Sequence, residues 1–518
     1  MGKHQKSEVR SQRTEDRSKK VFILYSVFCI LYSLSFPAFS LQPSAFSKKP
    51  LPAKPAPAVV SRGLKQGIDH ILNNRCLSNG KVGIKIVSLK TGEVVYQRNS
   101  NELLIPASNV KLITTAAALS KLKSDYKFKT TIAYDGIKDG NTLKGNLYIK
   151  GYGDPKLVTE ELLLMVGEIR NTGIEVISGD IIADDSFFDG ERVGNGWKIN
   201  GDSRAYNARI GALSFNFNTI AVDIEPAESR RERPEVIINP PTSFVEVVNK
   251  AITKNRRIGD NITVDRLSEG DEDKIIVDGE ISVGKKGMRF YRSISNPPIY
   301  TATVFKEFLE KEGITVKGRV ISGLKPADAA ELLTHESAPL SIIIRDLNKM
   351  SNNFMAEQIL KTMGAEVKGV PGTAEKGLTV VREYLEGIGI PNGTYVLADG
   401  SGLSRLNRMT PSQIIKVLMT MYDDFKLQAE YVSSLSIMGV DGSLKHRMDG
   451  STLDWMVRGK TGTLDGVSAV SGYTTCYSCS VNKREVFAFS IIMNNLKCDV
   501  NRVWQIQNQI ISSLTDKM

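Results

Sequence analysis

The chain has 518 residues, a formal net charge of +11 and a hydrophobic fraction of 41%. This length exceeds one ordinary hydrophobic core and predicts two or three domains, and the composition excludes a disordered or fibrous protein. The positive charge fits ordinary solubility, and it also suits peripheral contact with anionic polymers or a membrane surface. Basic residues are not interleaved with aromatic ones, so nucleic acid is not an expected partner.

The first 40 residues have the plan of a secretory signal peptide. Residues 1–20 hold seven Lys/Arg and three acidic residues, and residues 21–40 hold no charge. The apolar run Val21–Phe36 is short for a membrane span, and the small residues that follow it suit cleavage. We therefore predict export to the periplasm or cell-wall space; the alternative is an uncleaved N-terminal membrane anchor. Residues 41–61 then form a Pro/Lys-rich linker.

The cysteines and histidines give little sign of a metal centre. After the signal segment, four cysteines can pair in three ways, and the sequence does not choose among them: Cys76, Cys476, Cys479 and Cys498. Cys476 and Cys479 have the spacing of a redox or zinc motif, but no second close pair and no clustered histidine accompanies them. The four histidines are scattered, which argues against a His-rich metal site and against a Ser-His triad.

The first folded elements in chain order are a helix near Leu64–Leu72 and a β-hairpin. Val82–Ile86 alternates as a strand, Lys90-Thr91-Gly92 supplies the turn, and Glu93–Tyr96 returns. The next stretch, Ile105–Leu119, predicts a helix that is apolar on nearly every side and is therefore buried.

The first turn of this helix carries Ser108, and Lys111 follows on the same face. Burial disfavours the ammonium form of a lysine, and a neutral amine beside a hydroxyl can generate a nucleophile. The alternative is a core helix with an N-terminal serine and a lysine that reaches the surface. Spacing alone does not decide, because six other serines also have Lys at the third following position.

From about residue 128 to 330, short strands and turns alternate with a few helices. Glu161–Asn171 and Thr303–Glu312 each predict a helix that is followed by a glycine cap and a strand, so both belong to one domain. The stretch between them predicts a further insertion. Helical segments return after residue 338, and the chain ends with three strands and a helix.

These elements predict an α/β (α+β) fold with nested domains. Residues 62–135 and 331–518 form one domain with helices against a sheet. Residues 136–207 and 297–330 form an inserted, β-rich domain II, and residues 208–296 form an inserted domain III.

Three motifs then occur in a fixed order: Ser108-Asn109-Val110-Lys111, Ser351-Asn352-Asn353 and Lys460-Thr461-Gly462-Thr463. Ser351 falls between two helical segments, and Lys460 ends a predicted strand before a Thr-rich turn. Lys90-Thr91-Gly92 duplicates the third motif, but its place at a hairpin tip indicates a turn. The order and context of the three motifs resemble those of penicillin-binding proteins and active-site serine β-lactamases.

The long insertion between Ser108 and Ser351 is similar to that of the class C low-molecular-mass penicillin-binding proteins, the D-alanyl-D-alanine carboxypeptidase/endopeptidase family. Four further strings strengthen the resemblance, which covers residues 62–518: Gly151–Leu157, Ala183–Phe188, Asp399–Arg405 and Val440–Leu444. Asn207–Leu213 departs from the family pattern, because an Ala-Pro is expected before Ala-Leu. The resemblance implies a penicillin-binding/serine β-lactamase-like domain, an antiparallel sheet flanked by helices.

The resemblance also implies roles for the motif residues. Ser108 would attack the carbonyl of the penultimate D-alanine and form an acyl-enzyme, with Lys111 as the base. Ser351 would relay a proton, and Asn353 would bind the substrate amide and hold Lys111. The third motif would bind the substrate's terminal carboxylate and complete an oxyanion site, through Lys460, Thr461, Gly462 and Thr463.

Two strings leave alternatives open. Asp154 is a candidate to bind a cationic side chain of the peptide, but an Asp-Pro turn explains it equally well. Asp399–Arg405 either forms a wall of the cleft or is a tight turn.

The sequence thus predicts an exported serine hydrolase that acts on peptidoglycan stem peptides as a carboxypeptidase, an endopeptidase or both. The resemblance implies that β-lactams acylate it as inhibitors and that no metal or cofactor is needed. The alternatives are a serine β-lactamase and a non-catalytic cell-wall-binding scaffold on the same fold.

Overall fold

The computed structural model describes residues 60–198, 202–255, 259–269, 272–448, 454–476 and 485–515. The predicted signal peptide, nearly all of the linker and Cys479 lie outside these residues. Within them, no helix combines the length and the apolar character that a membrane crossing requires.

Helices occupy both ends of the described chain and most of residues 340–434. Their starts follow from local chemistry; the Thr410 hydroxyl, for example, accepts from the Gln413 backbone N–H, and the Gln413 side chain accepts in return from the Thr410 N–H. In chain order the α-helices are α1 Val60–Leu72, α2 Val110–Leu122, α3 Thr159–Asn171, α4 Pro297–Lys311, α5 Leu340–Met350, α6 Asn353–Lys368, α7 Ala374–Gly387, α8 Pro411–Asp423, α9 Gln428–Ser434 and α10 Val500–Ser512.

Strands dominate the middle of the chain and its C-terminal part. In chain order they are β1 Lys81–Ser88, β2 Val94–Arg98, β3 Lys129–Tyr134, β4 Ile137–Asp139, β5 Thr142–Lys144, β6 Leu147–Gly151, β7 Val176–Ile177, β8 Ile181–Asp184, β9 Thr219–Glu225, β10 Glu235–Asn239, β11 Val245–Asn249, β12 Ile252–Lys254, β13 Thr263–Glu269, β14 Glu272–Asp278, β15 Glu280–Ser282, β16 Met288–Ser293, β17 Thr315–Val316, β18 Val320–Ser322, β19 Ala330–Glu336, β20 Ser436–Ile437, β21 Val457–Leu464, β22 Val467–Cys476 and β23 Glu485–Asn494.

The first and last parts of the chain build one antiparallel sheet in the order β2-β1-β23-β22-β21-β20. Alternation along β23 buries both faces: Phe489 lies in the core with α1 and α10, whereas Ala488 lies in the core with α2 and α5–α8. A disulfide joins Cys76 to Cys498, which is one of the three pairings that the sequence allows. The predicted hairpin is confirmed, and Gly92 supplies its turn with φ of 73°.

The inserted segment has its own sheets. Strands β18-β8-β6-β3-β19 form one and β17-β7-β5-β4 another, and β9–β16 form three small sheets in the orders β10-β9-β16, β11-β14-β13 and β12-β15. The two predicted helix–glycine–strand segments do share one sheet, since β7 pairs in parallel with β17. Strands β3 and β19 also pair in the inserted region, although the predicted bounds at 135 and 331 assign nearly all of both to the outer domain. The domain bounds themselves stay a prediction.

Candidate active site

The candidate nucleophile Ser108 lies in a tight turn, Ala107–Asn109, that leads directly into α2. The Asn109 side chain donates to Ser471 Oγ at 2.9 Å and ties this turn to β22. Strand β21 passes very close: a Cβ added at Gly462 would lie 2.9 Å from the Ser108 backbone nitrogen. Only glycine therefore lets the strand approach the nucleophile turn at this point.

Lys111 is the second predicted residue, and its side chain is completely buried. Its ammonium donates to Ser108 Oγ at 3.0 Å, to Asn353 Oδ1 at 2.6 Å and to the Ser401 carbonyl at 2.5 Å. Burial lowers the pKa of Lys111 to about 7, against the opposing effect of the Asp399 and Glu357 carboxylates. The amine is therefore held against the hydroxyl and is neutral in a large fraction of molecules near neutral pH.

The second motif lies at the junction of α5 and α6. Ser351 ends α5 in the left-handed conformation, with φ of 57°, and the Asn352 side chain caps α6 by accepting from the Met355 N–H. Asn353 then opens α6 and donates from Nδ2 to the Tyr206 carbonyl at 3.0 Å. One side chain thus touches both Lys111 and the inserted segment.

The third motif differs from the sequence prediction in one respect. Lys460 does not end its strand, because β21 continues to Leu464 through its pairing with β22. The Lys460 ammonium donates to Ser351 Oγ at 2.7 Å, and burial followed by the charge of Lys111 holds its pKa well below the usual range. Thr461 Oγ1 lies 2.7 Å from Ser443 Oγ, and Thr463 lines the open cleft.

The cleft has a volume of about 520 Å³ and contains four predicted site residues in its wall: Ser108, Ser351, Asn353 and Thr463. Leu403 and Arg405 also line it, so the Asp399–Arg405 string forms a wall of the cleft. Tyr206 and Asn207 face it from the inserted segment, which means that the string departing from the family pattern borders the site.

Asp154 lies outside this group. It does not line the cleft, and its side chain is buried with only 2% exposed. Its substrate-binding role stays a prediction that the geometry around the cleft does not support.

Sequence reasoning missed a buried acidic pair behind Lys111. Glu357 Oε1 accepts from the Gly400 and Ser401 N–H groups at 3.0 and 2.8 Å, and Asp399 accepts from the Gly402 and Ser404 N–H groups. Burial, reinforced by the charge of Asp399, raises the pKa of Glu357 to about 8. A glutamate one turn after Asn353 inside an apolar run was the available signal, because charged residues seldom occupy such positions without a partner.

Comparisons with known proteins identify the family of the chain. The profile of the D-Ala-D-Ala carboxypeptidase 3 (S13) family matches residues 64–517. The chain belongs to this family. It is 35% identical over 445 residues to the D-alanyl-D-alanine carboxypeptidase of Actinomadura sp. (strain R39), covering 83% of this chain and 81% of that protein.

A further curated relative agrees with the S13 assignment, and a solved structure shows the fold. The D-alanyl-D-alanine carboxypeptidase DacB of Haemophilus influenzae is 27% identical over 408 residues, covering 78% of this chain and 84% of the relative. The crystal structure of penicillin binding protein 4 (dacB) from Haemophilus influenzae superposes with a TM-score of 0.75 at 24% identity, covering 86% of this chain and 97% of that one. The predicted family and fold class are confirmed, and the S13 chain is a serine hydrolase of the D-Ala-D-Ala carboxypeptidase type.

Proposed function

We propose that this S13 enzyme cleaves peptidoglycan stem peptides and cross-links through an acyl-enzyme on Ser108. The observation that carries the proposal is the contact between the Lys111 amine and Ser108 Oγ at 3.0 Å, with the pKa of that amine lowered to about 7. A neutral amine can take the hydroxyl proton as the oxygen attacks.

The first step forms a bond between Ser108 Oγ and the carbonyl carbon of the penultimate D-alanine, while the Oγ proton moves to Lys111. The oxyanion lies between the backbone N–H groups of Ser108 and Thr463, which the close approach of Gly462 to the nucleophile turn supports. Each such donor contributes about 10²–10³ in rate.

The second step breaks the carbon–nitrogen bond. The leaving amine takes, through the Ser351 hydroxyl, the proton that Lys111 accepted from Ser108, so Lys111 is neutral again for the attack of water. The Ser351 hydroxyl is held 2.7 Å from the Lys460 ammonium. Water then attacks the ester, releases the shortened peptide and restores the Ser108 hydroxyl. Lys460, Thr461 and Thr463 bind the terminal carboxylate, and a β-lactam carboxylate occupies the same place when the drug acylates Ser108.

Carboxypeptidase and endopeptidase activity differ only in the leaving group. A free D-alanine leaves in the first, and the amine of a neighbouring stem leaves in the second. The cleft is open and reaches Lys198 and Tyr206 of the inserted segment, which supports room for a second stem.

The proposed location is outside the cytoplasm, in the periplasm or cell-wall space. The basic leader and the uncharged run of residues 21–40 support export, and a disulfide between Cys76 and Cys498 suits an oxidising compartment. Sequencing the N-terminus of the protein from cell fractions tests this, because a start beyond residue 36 indicates cleavage and an intact leader indicates an anchor.

Incubation with a fluorescent penicillin, followed by intact mass and peptide mapping, tests the acyl-enzyme. We expect a stable adduct on Ser108 that Ser108→Ala abolishes and the control Ser78→Ala retains, since Ser78 also precedes a lysine by three residues. Full labelling of Ser108→Ala would disprove the proposal. Rapid penicillin turnover would favour a β-lactamase, and failure to release D-alanine or cleave cross-linked muropeptides would favour a scaffold.

A further inference from the structure

A second cluster of ionisable side chains lies outside the active-site cleft. Asp154 follows β6, Glu161 lies in the first turn of α3, and His335 lies in β19. Each offers one ligand atom, and the three atoms lie within 4.8 Å of one another. Two neighbouring parts of the chain and one strand far from them in sequence thus bring two carboxyl groups and an imidazole to one point.

The cluster contains two buried polar atoms with no hydrogen-bond partner in the part of the chain that the structure describes. Asp154 Oδ1 accepts from the Lys156 N–H at 2.8 Å, but its Oδ2 has no hydrogen-bond partner among the described residues. His335 Nε2 is likewise buried without a hydrogen bond in the described chain, and Glu161 Oε2 lies 3.8 Å from it. Buried polar atoms in native proteins nearly always have a partner, so these two atoms call for one.

The surrounding charges do not supply that partner. The Lys156 ammonium is directed to Asp346 at 2.6 Å, on α5. Two carboxyl groups and an imidazole therefore face one another, an arrangement that a cation would stabilise.

We propose that Asp154, Glu161 and His335 bind a zinc ion. Zinc accepts an imidazole nitrogen at about 2.0–2.1 Å and carboxylate oxygens at about 2.0–2.2 Å in tetrahedral geometry, so its ligand atoms lie about 3.4 Å apart. The Glu161 and His335 atoms, at 3.8 Å, are close to this spacing, and the three atoms, all within 4.8 Å, reach it by side-chain shifts of up to about 1.4 Å. Three protein ligands leave a fourth position for water, and magnesium, which prefers six oxygen ligands, fits the imidazole poorly.

The proposed ion is structural. It cross-links the loop after β6 and helix α3, both in the inserted segment, to β19, the strand by which the chain leaves that segment and enters α5. The side chains of Glu161 and His335 are 23% and 17% exposed, which gives the ion a path from solvent. Peptide hydrolysis needs no step through this ion, because the cluster does not line the cleft.

The test uses the full folded chain after treatment with a chelator and desalting. Zinc or magnesium is added, excess is removed, and bound metal is counted by mass spectrometry while the melting temperature is measured in parallel. We expect one zinc ion per chain and a melting temperature raised by several degrees with zinc but not with magnesium.

The variants Asp154→Asn, Glu161→Gln and His335→Gln keep comparable shapes, and in the first two the amide oxygen that replaces a carboxylate oxygen can still accept the backbone hydrogen bond made at that position. We expect each to lose zinc binding and the thermal shift, with a metal-free melting temperature equal to or above that of the wild type. The control His70→Gln alters an exposed histidine outside the cluster and should behave as wild type. No zinc uptake by the wild type, or equal uptake by the three variants, would overturn the proposal.

Discussion

The segments Ser78–Lys81 and Ser108–Lys111 have the same Ser-x-x-Lys spacing but opposite surroundings. Lys81 forms a salt bridge with Glu102 at 2.6 Å, and its side chain is 57% exposed. Lys111 is completely buried and contacts a hydroxyl, an amide oxygen and a backbone carbonyl, and no carboxylate of the described residues contacts it directly. The difference indicates that desolvation, more than spacing, lowers the pKa of the Lys111 amine and suits it to the proposed role of base.

Removing each amine in turn tests whether burial distinguishes Lys111 from Lys81. Lys111→Met keeps the length of the side chain but removes the base, and we expect the rate of acylation by a fluorescent penicillin to fall by at least about 10³-fold. Lys81→Met should acylate at the wild-type rate. Equal effects in the two variants would show that burial does not distinguish them.

The amide of Asn353 tests the neutral acceptors around Lys111. Asn353→Ala removes the acceptor at 2.6 Å from the Lys111 ammonium and the donor to the Tyr206 carbonyl. We expect about a 10²-fold loss in the release of D-alanine, because a misplaced catalytic group costs about that factor. An unchanged rate, with the fold intact by circular dichroism, would contradict the positioning role.

The acid limb of the pH–rate profile measures the pKa of Lys111, which desolvation lowers. Lys111 must be neutral to accept the serine proton, so kcat/KM should rise with pH and reach half its plateau near pH 7, where its pKa lies. The profile of Lys81→Met should have the same limb. A half-point near the ordinary lysine value would mean that burial does not set the pKa of this amine.

Two substitutions of Glu357 distinguish its hydrogen bonds from its charge, and we expect them to change the rate least. Its Oε1 accepts from the Gly400 and Ser401 N–H groups, so Glu357→Gln preserves these bonds with its carbonyl oxygen, whereas Glu357→Ala loses them. We expect Glu357→Ala to lose about tenfold in rate through displacement of the Ser401 carbonyl. Glu357→Gln should keep most activity and move the acid limb only slightly to lower pH, because Glu357, with its own pKa of about 8, is ionised in only a small fraction of molecules near pH 7 and raises the pKa of Lys111 less than Asp399 does. A limb that moves to higher pH would contradict this sign.

The order of the three motifs made the family and the candidate site predictable, and apolar periodicity made the helix of Lys111 and the strands of the outer sheet predictable. The contact between Glu357 and the Ser401 backbone was not predictable, since a loop conformation and not a residue type creates it. The end of the strand at Lys460 was predicted wrongly because β21 continues through polar residues that only pairing with β22 keeps extended. The convergence of Asp154 with His335 depends on tertiary structure alone.

The pairing of β1 with β23 delays the formation of the active site during folding. Ile84, near the start of the folded chain, lies opposite Ile491, near its end. Such distant pairing is slow, because the loop between the partners must close before the contact forms. The turn that carries Ser108 leaves the ribosome early, but the strands that enclose it come last. A truncated chain therefore holds Ser108 and Lys111 without the strands that enclose them, and we expect the enzyme to gain its activity only when β21–β23 are in place.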